Sequence, residues 1–198
     1  MKADTLKAMK IGLMMPLGER ETERTPLPYS VLREMALRAE TDGLDSLWVA
    51  DHLLFREEEG TFGMHEAWTM LTAFAALTSR VAVGTLVLAL PFRNPGVTAK
   101  MAAALDEVSA GRLILGIGCG WHEPEFEAFD LPFDHRVARF EEAAGVLIRL
   151  LRESGFEIER LVELRPGPDA TTRYTQIASL EWARQWPCEE AWIARKRA

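Results

Sequence analysis

Residues 111–143 read GRLILGIGCGWHEPEFEAFDLPFDHRVARFEEA, and in one run they place a strand, a glycine turn, a polar loop and a helix. Leu113, Ile114, Leu115 and Ile117 form a short continuous apolar run, the pattern expected of a strand covered on both faces. The run closes on Gly116, Gly118 and Gly120. Glycine lets a backbone turn sharply and approach a ligand closely, and the loop that follows carries Trp121, His122, Glu123 and Glu125. The stretch therefore reads as the floor of a site, with a tight surface turn as the plain alternative. The helix after it is expected from about Asp134 to Glu153.

Working outward, the same order recurs. Ile11 to Met15 is apolar and closed by Pro16 and Gly18, which suits a first strand. After the charged loop GERETERTPLP, Ser30 is a plausible N-cap for a helix whose Val31, Met35 and Ala39 share a face, with Gly43 as its stop. Leu44 to Ala50 reads as a second strand ending at Asp51 and His52, with LLFREEEGTFGM as the loop behind it. His65 to Ser79 reads as a helix, Val81 to Leu90 as a third, strongly apolar strand broken by PFRNP, and Val97 to Ser109 as a third helix stopped by Gly111. Strand and helix alternate four times at a spacing of roughly thirty to forty residues, as parallel βαβ units with right-handed crossovers do. In such folds reactive groups gather at the carboxyl ends of the strands, and Asp51, His52, Arg93, Asn94 and Gly118 to Glu125 all fall there.

Composition narrows the function. The 198 residues carry a net charge of −7, which argues against nucleic acid, since phosphate binding requires clustered Lys and Arg. Cys119 and Cys188 are far apart, and His65, His122 and His135 lack partners at metal-ligand spacing, so no disulfide framework and no metal site is indicated. The polar start MKADTLKAMK is no signal peptide, and no stretch is apolar enough to span a bilayer, so a cytoplasmic protein without a membrane partner is expected. Met9 can itself be a start, with residues 1–8 as an extension. Trp68 reads as core, Glu57 to Glu59 as a solvated loop, and Arg93 and Arg136 as surface arginines able to grip an anionic group.

With these residues in place, 9–152 resembles the amino-terminal half of the luciferase-like monooxygenase superfamily, the flavin- or deazaflavin-dependent (βα)8-barrel oxidoreductases. The stretches that carry the likeness are MKIGLMMPLG, GLDSLWVADHLL and GTLVLALPFRNPGVTAKMAAALDEVSAGRLILGIGCGWHEPEFEAFDLPFDHRVARFEE. The branch using coenzyme F420 is the nearest in pattern. The resemblance implies a cofactor, F420 or FMN, and a small organic substrate that undergoes hydride transfer or oxygen insertion. It places Asp51 and His52 beside the cofactor's reactive ring, with His52 as proton donor or acceptor, a task that suits imidazole. Leu86, Val87 and Leu88, where the family carries a non-prolyl cis peptide, and Gly118, Cys119 and Gly120 are implied to line the cofactor. Trp121, Glu125 and Arg93 are the substrate-side candidates. Some deazaflavin-dependent dehydrogenases carry an acidic residue directly after the glycine turn, where Trp121 stands here.

A complete barrel of this kind runs to about 250 residues, and four βα units precede the point near Arg152 where the resemblance stops. The expected architecture is thus a half-barrel, a (βα)4 unit, over 9–152, with a tail over 153–198 that resembles the carboxyl end of a class I S-adenosylmethionine-dependent methyltransferase. In that tail Phe156 to Leu164 is expected as a fifth strand on the same sheet, Leu180 to Trp186 as a helix and Ala191 to Ala194 as an antiparallel return. The open edge of the fourth strand is a place for a homodimer partner. Two further readings stay open: a catalytically silent fragment or interaction domain keeping ancestral residues, and, less favoured, a methyltransferase. Against the last, GIGCG does not open directly into a helix, and Trp121 occupies the last position of a Gly-x-Gly-x-x-Gly loop.

Overall fold

The computed structural model describes residues 9–19, 24–58, 60–164, 166–167, 170–171, 180–185 and 189–196. The expected extension 1–8, Glu59, Trp186 and Cys188 lie outside the described residues. In chain order the elements are β1 (Gly12–Met14), α1 (Tyr29–Thr41), β2 (Ser46–Val49), β3 (Leu54–Glu57), β4 (Gly60–Gly63), α2 (Ala67–Leu77) and β5 (Ala82–Ala89). A 3₁₀ turn (Leu90–Phe92) leads to α3 (Pro95–Val108), β6 (Leu113–Gly118), α4 (Glu123–Ala128), α5 (Arg136–Glu153), β7 (Phe156–Leu164), α6 (Leu180–Gln185) and β8 (Glu189–Lys196).

The fold is α/β, and its centre is a four-stranded parallel sheet in the order β1-β2-β5-β6, with both edges open among the described residues. The register aligns Met14 with Trp48 and Trp48 with Gly84. The chain divides into two compact units, Met1–Leu86 with Leu105–Leu115, and Val87–Ala104 with Gly116–Ala198. In the first unit α1 and α2 pack on β2, and Leu32, Ala36 and Ala39 of α1, Leu71, Phe74 and Ala75 of α2, Leu47, Val49 and Val83 of the sheet, and Val81 just ahead of β5 are buried. Two parallel strands joined by a helix bury that helix's apolar stripe against the sheet, which is what the 3.6-residue spacing in α1 and α2 encodes. In the second unit Leu88, Leu90, Phe126 and Leu147 are fully buried, and α5 packs on the 3₁₀ turn and on β7.

Several expectations change. The segment read as a loop after His52 is an antiparallel hairpin, β3 with β4. The polar loop after the glycine turn contains α4, because Pro124 falls in the helix's first turn, where a missing N–H costs nothing. β6 is not covered on both faces: it is an edge strand, and Ile114 remains 43% exposed. β7 is not a fifth strand of the main sheet. It pairs antiparallel with β8, from Phe156↔Lys196 to Leu164↔Glu189, in a separate two-stranded sheet, so the expected antiparallel return is present but its partner strand lies elsewhere. An antiparallel partner supplied by the same tail satisfies β7's backbone groups without β6.

The amino-terminal ends of the strands are tied by two charged side chains. One carboxylate oxygen of Glu40, near the end of α1, accepts from the backbone N–H groups of Ser79 (2.9 Å), Arg80 (2.6 Å) and Val81 (3.1 Å). The Arg112 guanidinium, just ahead of β6, donates to the carbonyls of Ala75, Thr78, Val81 and Ser109 and to the Thr78 hydroxyl. Carbonyls left unpaired at the end of α2 thus find a donor.

Candidate functional site

The catalytic candidates of the first unit follow β2. Asp51 is buried, with 4% of its surface exposed, and His52 is half-buried. The imidazole of His52 packs on Phe55, with ring centroids 4.3 Å apart and planes inclined by 42°. Leu86, on the carboxyl half of β5, stands 47% exposed.

The second unit holds the remaining candidates. Leu88 is fully buried and Val87 half-buried on β5, and Arg93 is half-buried just after the 3₁₀ turn. Gly118 ends β6 against Val87: a Cβ at Gly118 would come within 2.7 Å of the Val87 side chain, so only glycine lets the two strands lie this close. Gly120 adopts φ +70°, and a Cβ there would stand 2.8 Å from the Phe126 ring. Between them Cys119 is a half-buried free thiol whose Sγ lies 3.5 Å from the Gly120 carbonyl oxygen. That oxygen also accepts from Arg136 Nε at 3.2 Å, and the Arg136 guanidinium stacks 4.7 Å over Phe133. Phe126, fully buried, meets both Phe92 and Phe133 edge-on at about 5 Å. The bend is therefore held by an aromatic cluster and an arginine.

The substrate-side candidates differ in exposure. Trp121 is 49% exposed and lies edge-on to His122, whereas Glu125, on α4, is 1% exposed. Within the second unit the structure thus joins Val87 to Gly118 and Arg136 to Gly120. Phe55 and Phe126 were not singled out by sequence. The signal for Phe55 was its place three residues after His52 in a segment whose Phe55 and Phe62 mirror one another across a Glu-rich turn. Phe126 follows Glu125 at the start of an apolar pattern hidden by Pro124. Among the described residues no group of His, Cys, Asp and Glu is placed to hold a metal ion, and no helix is long and apolar enough to cross a membrane.

A parallel α/β sheet with its helices returning each strand in the same direction is the architecture of (βα) folds. Residues 9–179 match the luciferase-like monooxygenase family, and the chain belongs to that family. The match continues past Arg152 into the tail. The chain is 42% identical over 128 residues, 62% of its length, to an F420-dependent glucose-6-phosphate dehydrogenase of Amycolatopsis mediterranei (strain U-32), 36% of which is covered. It is 32% identical over 200 residues, 92% of its length, to a phthiodiolone/phenolphthiodiolone dimycocerosates ketoreductase of Mycobacterium sp. (strain JLS), 50% of which is covered. The chain spans half the length or less of these curated relatives. Among solved structures it resembles the monooxygenase RslO1 from Streptomyces bottropensis, with a TM-score of 0.58 and 27% identity over 90% of this chain and 52% of that one. An F420-dependent secondary alcohol dehydrogenase in complex with an F420-acetone adduct shares the fold, with a TM-score of 0.58 and 23% identity over 79% of this chain and 44% of that one.

Proposed function

We propose that the chain provides the ring-binding part of a flavin-type oxidoreductase that takes F420 or FMN and acts on a small organic substrate. Family membership and the F420-dependent relatives support this reading, and the observation that carries it is the buried Asp51 with His52 at the carboxyl end of β2. The residues present fit a flat ring. In the first unit Leu86 offers exposed apolar surface, and in the second the Gly118 to Gly120 main chain is half-buried with no side chain at two of its three positions. When bound, such a cofactor supplies hydride transfer or oxygen insertion, while the protein positions the ring and excludes water.

Each residue then has a task. His52 donates or accepts the proton that accompanies the transfer, and buried Asp51 lies next to the ring. Leu86, Val87, Leu88, Gly118, Cys119 and Gly120 line the cofactor. Trp121, Glu125 and Arg93 face the substrate side. The protein works in the cytoplasm, and the open edge at β6 pairs two copies. Titration of the chain with FMN and with F420, followed by fluorescence quenching, tests the reading: saturable binding is expected, and no binding at high micromolar concentration would overturn it. In a chain that turns substrate over, His52→Ala lowers kcat by about a hundredfold or more, as loss of an acid–base group does; unchanged turnover removes His52 from the mechanism.

A further inference from the structure

The hairpin after His52 has no task in the reaction as proposed. β3 and β4 are paired with Leu54 opposite Gly63, Phe55 opposite Phe62 and Arg56 opposite Thr61. Directly opposed residues of an antiparallel pair project from the same face, so Phe55 and Phe62 share one. At one end of that face Phe55 meets the His52 ring at 4.3 Å. At the other the Arg24 guanidinium sits 4.5 Å over the centre of Phe62. His52, Phe55, Phe62 and Arg24 thus make one row of flat groups.

The ribbon is sewn to the segment that follows β1. Gly18 bridges Met64, Glu19 N–H donates to the Gly63 carbonyl at 2.9 Å, and His65 N–H donates to the Leu17 carbonyl at 3.0 Å. The His65 Nε2 lies 2.9 Å from the Leu27 carbonyl oxygen. The glycines make the fit close: a Cβ at Gly63 would stand 2.9 Å from the Glu19 carboxylate, and one at Gly60 3.2 Å from the Arg24 guanidinium.

A histidine that moves a proton must hold one ring nitrogen on a fixed bearing. Its χ2 torsion is broad and nearly two-fold, so the backbone alone does not set the ring plane, and a packed neighbour must. We propose that the β3–β4 hairpin is a positioning device for His52. Phe55 fixes the plane of the imidazole, and Arg24 stacked on Phe62 holds the ribbon in the register that keeps Phe55 there. Phe55 and Arg24 are positioning residues, since neither is required to touch substrate or cofactor. Leu17 to Glu19 and Arg24 thereby govern the orientation of a ring they do not themselves carry. This inference rests on the reading of His52 as the proton-transferring group, but the ring's order is measurable without cofactor.

The test is NMR of the full chain with isotope-labelled histidine, comparing the unaltered chain with Phe55→Leu, Phe55→Tyr and Arg24→Gln. The His52 ring protons are expected upfield in the unaltered chain from the Phe55 ring current, with a single ring orientation. Phe55→Leu loses that shift and lowers the ring order parameter, Phe55→Tyr restores both, and Arg24→Gln lowers the order parameter and weakens the shift although residue 55 is still phenylalanine. An unchanged His52 order parameter in Phe55→Leu or in Arg24→Gln overturns the proposal. If Phe55→Leu fails to fold, the Arg24→Gln and Phe55→Tyr chains decide. Failure of the underlying functional reading looks different: an ordered His52 ring in a chain that quenches neither FMN nor F420.

Discussion

Trp48 shows how one side chain dictates the identity of two others on neighbouring strands. Its indole N–H donates to the Ser46 hydroxyl at 2.8 Å, and the ring lies across the sheet so that a Cβ at Gly12 or at Gly84 would collide with it. At Gly84 the distance to the ring would be 2.6 Å, and the Ile114 carbonyl oxygen would be 3.0 Å away on another side. The two glycines are sites of close approach, not of unusual backbone angle. Gly84→Ala is therefore expected to destabilise the chain by about 1–3 kcal/mol, the usual cost of overpacking, as read from urea denaturation. Placed in a Trp48→Leu background the same change should cost less, because the ring it strikes is gone. Strict additivity of the two would contradict the inlay. None of this was legible in the sequence, where Gly12 and Gly84 are only small residues within apolar runs. The reason lies in register, which joins residues 36 positions apart and is set by pairing.

At the scale of elements, the order of strands and helices was legible because each carries its own period, and the four parallel strands arose where the apolar runs lie. What escaped was short or charged. β3 and β4 are four residues each around a run of glutamates, which offers too few apolar positions to show alternation. α4 was hidden by a proline that a first turn tolerates. The candidate residues Asp51, His52 and Gly118 to Gly120 were legible because they follow strand ends, whereas the supports behind them, Phe55, Phe126 and Arg136, come from elements that escaped or from distant parts of the chain. The Glu40 tie was not visible either, and it carries a pH dependence. Burial alone would raise the Glu40 pKa, but the Arg80, Val81 and Ser79 N–H groups and the charge of Arg112 outweigh it and hold the carboxyl below its ordinary value of 4.5. A depressed folded-state pKa means that the contribution is complete above the unfolded value and is lost as pH falls through the folded one. Glu40→Gln should thus be less stable than the unaltered chain at neutral pH, by about 1–2 kcal/mol for hydrogen bonds to a charged group, and the gap should close as pH drops below 4.5. Denaturation midpoints of both chains between neutral pH and pH 3 check this, and a gap that stays constant would count against the tie.

The two ends of the strands carry different kinds of residue. The amino-terminal ends carry Glu40 and Arg112, whose hydrogen bonds among the described residues run to the protein's own backbone or to Thr78, and the carboxyl ends carry Asp51, His52 and the glycine bend. In (βα) enzymes generally the amino-terminal face serves stability and the carboxyl face chemistry, and the proposed function assigns these residues in the same way. The sheet's edges are unpaired at β1 and β6 among the described residues, and an exposed Ile114 on β6 adds apolar surface to that edge. Light scattering at two concentrations should show a dimer whose population rises with concentration and falls in Ile114→Lys; a monomer at both concentrations would remove pairing through β6 from the account. The central claim, that the carboxyl ends of these strands receive a flavin-type ring, is tested most directly by amide NMR during titration with F420 and FMN. Saturable shifts of Asp51, His52 and Gly118 to Gly120 are predicted, with the Arg112 and Glu40 amides unmoved. Shifts confined to the amino-terminal ends, or none at saturating cofactor, would contradict it.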